Sequence, residues 1–83
     1  MSKKKTPMEK AVGAVERETG WEVDEDDLAS LLDLHKRRST AAIRNERDRL
    51  TKGERGGEPL EVEVRIEDLS IILAARRALE RAK

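Results

Sequence analysis

The carboxyl-terminal segment "EDLSIILAARRALERAK" constrains the fold more than any other part of the chain. It reads as a helix over about residues 67–82. Glu67 and Asp68 sit at the positive end of its dipole, Arg81 and Lys83 at the negative end. Its first half, with Leu69, Ile71, Ile72, Leu73, Ala74 and Ala75, is apolar nearly all round. A helix lying on a surface needs only one apolar stripe, so this one must be covered on more than one side. A chain of 83 residues offers few elements to do so. The expectation is that its own core covers one side and a second subunit the other. Composition pushes the same way. Trp21 is the only aromatic residue, there is no cysteine, and 43% of residues are charged. The core must therefore be aliphatic, with no disulfide or thiolate-bound metal to support it. A homodimer is expected, with Val62, Val64, Leu69, Ile71, Ile72, Ala75 and Leu79 at its interface.

The other elements are marked by local chemistry. "TPMEKAVGAVERETG" opens with a capping-box pattern, Thr6 followed three residues later by Glu9, and Pro7 suits the first helical position. Met8, Ala11, Val12 and Val15 form one stripe, and Gly20 suits the residue past the helix end. A first helix is read over about 7–19. "WEVDEDD" gives a short extended piece, then acids for the first turn of a helix beginning near Glu25. Leu28, Leu31, Leu32 and His35 make its inner stripe. Residues 25–52 allow one long helix or two. Ser39 and Thr40 favour caps over helix interiors, so a break at 35–39 and a third helix over about 40–52 are preferred. Ile43 and Leu50 then face inward.

"KGERGGEP" reads as a loop, and "LEVEVRI" alternates strictly. Leu60, Val62, Val64 and Ile66 would face one side of a strand over about 60–66. Its partner would be the Trp21–Val23 stretch or the same strand of a second copy. The fold class expected is α+β, mostly helical, with three or four helices and that one strand. Residues 1–5 are read as a flexible basic tail and 6–83 as a single small domain.

Charge is segregated although it sums to zero. Glu16 to Asp33 holds eight acids and one base, a net of −7; Lys36 to Arg55 holds eight bases and three acids, a net of +5. Such a block can present a positive face to phosphates. Around it, "DEDDLASLLDLHKRRSTAAIRNERDRL" resembles a helix-turn-helix. A Leu-Ala-x-Leu-Leu helix is followed by a short basic turn and a Ser/Thr-initiated second helix. "KGERGGEP" and the alternating segment after it resemble the wing of a winged helix, so the likeness spans about residues 24–66. It implies that the second helix enters the major groove of DNA. Base contacts would fall to Arg44 and Asn45, and phosphate contacts to Lys36, Arg37, Arg38, Arg47 and Lys52. The competing reading is a solvated helix face, since Arg44–Asp48 and Asp48–Lys52 are i,i+4 pairs. "LEVEVRIEDLSIILAARRALERA" also resembles the opening of a ribbon-helix-helix protein, but its outward residues would include Glu61 and Glu63.

Other signals yield to plainer explanations. "DEDD" lacks the central Gly and distant Glu of a calcium loop, and capping accounts for its acids. His35 has no second His or Cys to share a metal or a catalytic role and is expected to pack at the edge of the second helix. "GERGG" lacks the Lys-Ser/Thr of a phosphate loop. Trp21 could stack a base but is read as a core anchor. No catalytic group, cofactor or metal is expected, and no run is apolar enough to span a membrane. The first functional reading is a small dimeric, cytoplasmic DNA-binding regulator of the sort that bacteria and phages encode. The second is a protein-binding adaptor or inhibitor, antitoxin-like or phage-encoded, or a subunit of a larger assembly. It would use the acidic surface 22–33 or the carboxyl-terminal helix.

Overall fold

The structure is a computed structural model that describes residues 6–53 and 59–81. It holds four helices: α1 (Pro7–Thr19), α2 (Glu25–Leu34), α3 (Thr40–Thr51) and α4 (Pro59–Arg81). The tail expected over 1–5 and the centre of the expected loop, 54–58, lie outside the described residues.

α1 and α3 begin at side-chain caps, and α1 ends at a glycine. Thr6 Oγ1 accepts from the Glu9 backbone N–H at 3.2 Å, and Glu9 Oε1 accepts from the Thr6 N–H at 3.4 Å, closing the capping box. Gly20, at φ 79°, donates its N–H to the Glu16 carbonyl at 2.9 Å and ends α1. Ser39 Oγ accepts from the Ala42 N–H at 3.0 Å and starts α3, so residues 25–51 form two helices, not one. The His35–Ser39 turn between them is pinned from far along the chain. Arg76 donates to the His35 carbonyl at 2.8 Å and to Thr40 Oγ1 at 3.1 Å.

The expected strand is absent, and the α+β class is replaced by an all-helical bundle among the described residues. Residues 60–66 are the first turns of α4. Pro59 stands at the first helical position, and no breaker follows before Arg81. A lone strand would need a partner for its backbone groups, whereas a helix satisfies them within itself. The short stretch around Trp21–Val23 is not a strand either. The alternation misleads because at about 100° per residue the four apolar side chains divide into two pairs on opposite sides of a helix. Val62 and Ile66 turn toward the core, while Leu60 and Val64 remain 71% and 50% exposed.

All-round burial of α4 is achieved within one chain. Ile71, Ala74 and Ala75 pack with Ala11, Val15 and Leu28, and Met8, Val12, Ala78 and Leu79 extend that cluster. Leu69, Ile72 and Leu73 pack with Ile43 and Leu50 of α3 in a second cluster, joined by Val62 and Ile66. Leu31 and Leu32 of α2 touch both clusters. Leu69, Ile71, Ile72 and Ala75, expected at a subunit interface, are therefore interior residues of the chain's own core, each at most 4% exposed. The cover is ampler than a strand over 60–66 would allow, because Val62 and Ile66 extend α4 beneath Ile43 and Leu50 of α3. Trp21, expected as a core anchor, is 39% exposed and lies at the surface.

Candidate nucleic-acid interface

The outward face of α3 follows from its inward one. With Ile43 and Leu50 fully or nearly buried, a helix of this length turns Ala41, Arg44, Asn45, Asp48, Arg49 and Lys52 away from the core, and all of them are exposed. Arg44, Arg49 and Lys52 make no salt bridge among the described residues, and neither does Arg37 in the preceding turn. Arg49 was not among the expected contacts. Helical spacing alone would have placed it on the outer arc. Asn45 lies beside it, facing solvent.

Three expected contacts are engaged within the chain. Lys36 is paired with Asp33 at 3.2 Å, an exposed pair that costs little to open. Arg47 is half-buried, 3.6 Å from Asp48, and lines a shallow groove with Trp21 and Arg77. Arg38 is held more firmly, with Nη2 2.6 Å from Glu46 Oε1. The other oxygen of Glu46 accepts from Arg65 Nε of α4 at 2.7 Å. Glu46 is thus clamped between two guanidinium groups, its side chain only 15% exposed. The hydrogen bond from Arg65 above all, aided by the one from Arg38, holds its carboxyl below the usual range although burial opposes this.

The clamp has an electrostatic consequence. α3 carries two acids, Glu46 and Asp48. Glu46 borders that face, sharing a hollow with Asn45 and Arg49, and its charge is offset by Arg38 and Arg65, which leaves Asp48 as the one acid of α3 not so offset. Arg65 and Arg76 carry no local signal of these roles, because their partners lie 19 to 41 residues away.

No family model, curated protein or solved structure matches the chain. The turn between α2 and α3 spans five residues, longer than the three or four of a usual helix-turn-helix. α2 and α3 each pack on α4, and their backbones do not approach one another closely. Of the segment expected to form a wing, residues 60–66 are helix. Of the expected interface residues, Val64 is exposed, while Val62 and Leu79 are half-buried against the core. No described helix is long and apolar enough to cross a membrane. The described residues contain no group of three His, Asp or Glu side chains placed to hold a metal ion.

Proposed function

We propose that the chain is a non-enzymatic, duplex-DNA-binding regulatory protein that contacts its target through the outer face of α3. The observation that carries this reading is the internal clamping of Glu46 by Arg38 and Arg65. It offsets the charge of one competing acid beside the basic face, while Arg37, Arg44, Arg49 and Lys52 stay open to phosphate. Arg44 and Asn45 project from the same side and have the chemistry to read guanine and adenine edges. Arg38 acts by organising this face, not by touching DNA.

The test is fluorescence anisotropy of labelled random-sequence duplex titrated at several salt concentrations. Log affinity is expected to fall linearly with log salt, with a slope of about −0.9 per phosphate neutralised. Arg37→Ala/Arg44→Ala/Arg49→Ala is expected to flatten the slope by two or three such units. Glu46→Gln is expected to tighten binding, because it releases two guanidinium charges. Absence of binding at low salt, or affinity indifferent to the triple substitution, would overturn the proposal.

A further inference from the structure

α1 has 13 residues and α4 has 23. α1 packs on the side of α4 that carries Ile71, Ala74, Ala75 and Ala78. That side continues toward the amino end of α4 with nothing from α1 to cover it. At 100° per residue, Leu60, Val64, Glu67 and Ile71 fall within about 60° of one another, over a length of about 17 Å. Val23, Leu31 and Leu34 flank Ile71 in a groove of about 600 Å³. Leu34 is 77% exposed, the most open large apolar side chain among the described residues. Asp68 lines both this groove and the adjoining hollow around Leu60 and Val64, so the two form one strip. Leu60, Val64 and Leu34 leave apolar surface in water along its whole length, more than a scatter of single residues.

The rim is predominantly acidic. Glu22, Asp24, Asp27, Glu67 and Asp68 border the groove, and Glu61 borders the hollow. None of the six forms a salt bridge among the described residues. The single base in the lining, Arg65, is already held by Glu46. A second copy placed across a two-fold axis would set acid against acid. The basic face of α3 has no large apolar side chain to fill the strip, and nucleic acid is repelled by its charge.

We infer that the strip is a docking surface for an amphipathic helix of a partner protein, one with large aliphatic residues along one side and Lys or Arg flanking them. A helix of three turns spans the 17 Å from Leu60 to Ile71. Its aliphatic side would cover Leu34, Leu60 and Val64, and its basic flanks would meet the rim. The strip lies on the opposite side of α4 from Val62, Ile66 and α3, so the partner and a duplex need not compete.

The test uses a fluorescein-labelled 18-residue peptide with Leu at helical i, i+4, i+7 spacing and Lys elsewhere. Its control carries Glu in place of Lys. The expected result is binding of the first peptide and not the second. Leu34→Ser/Val64→Ser is expected to weaken it at least tenfold while leaving the thermal midpoint unchanged, since both residues face water. Asp27→Asn/Asp68→Asn should weaken it, whereas Glu25→Gln/Asp26→Asn removes the same charge off the groove and should retain binding. Equal loss in both acid pairs would mean unspecific charge attraction and overturn the inference. So would affinity unaffected by Leu34→Ser/Val64→Ser. A concentration-dependent dimer abolished by that same pair would assign the strip to a second copy instead.

Discussion

His35 and Glu46 set how the molecule responds to acid. His35 caps the end of α2 and is buried, with no hydrogen-bond partner for Nδ1. Burial first, then the positive charges of Arg38 and Arg65, hold its pKa below 6.5. A group whose folded pKa is depressed binds protons more readily unfolded, so its contribution is complete above pH 6.5 and fades as pH falls through the folded value. Glu46 behaves the same way lower down, from its ordinary value of 4.5. The chain has one histidine, so the window between 4.5 and 6.5 belongs chiefly to His35. His35→Leu is expected to make the urea midpoint flat across that window, while the wild type loses stability as acid is added. At pH 7 the variant is expected to match or exceed the wild type, because it removes a buried nitrogen without a partner. A slope that survives in His35→Leu would show that another group titrates there. The inward position of His35 was legible from helical spacing. Its electrostatic surroundings were not, since Arg65 comes from another element.

At the level of elements, legibility followed the range of the deciding interaction. α1 and α3 were readable because Thr6, Glu9, Gly20 and Ser39 act within four residues of the ends they mark. Segment 60–66 was misread because its decision is not local. The alternation of Leu60, Val62, Val64 and Ile66 suits a strand, and only α3 packing on one pair, with α4 continuing beyond, makes it a helix. The two readings separate cleanly by substitution. In a strand Val62 and Val64 share a face, whereas in α4 they oppose. Val62→Asp is expected to cost about 2 kcal/mol through a carboxylate pressed against the core, and Val64→Asp less than about 0.5 kcal/mol. Comparable losses in chemical denaturation would return the segment to a sheet. The apolar excess of α4 was correctly seen as demanding cover. Its assignment to a second subunit failed because α1 and α3 supply that cover from two sides.

For the whole molecule, the division of charge along the chain becomes a division in space. Arg44, Arg49 and Lys52 lie on the outer face of α3, and Glu22, Asp24 and Asp27 gather with Glu67 and Asp68 across α4 from it. A net charge of zero therefore describes the sum and not the surface a partner meets. Association with either kind of partner is expected to be steered by the nearer face and to slow as salt shortens the reach of that field. The same division makes the protein an electric dipole with no net pull in a uniform field. At neutral pH and low ionic strength it is expected to adhere to both a cation-exchange and an anion-exchange resin, turning a different face to each. A neutral protein with mixed surface charge would flow through both columns.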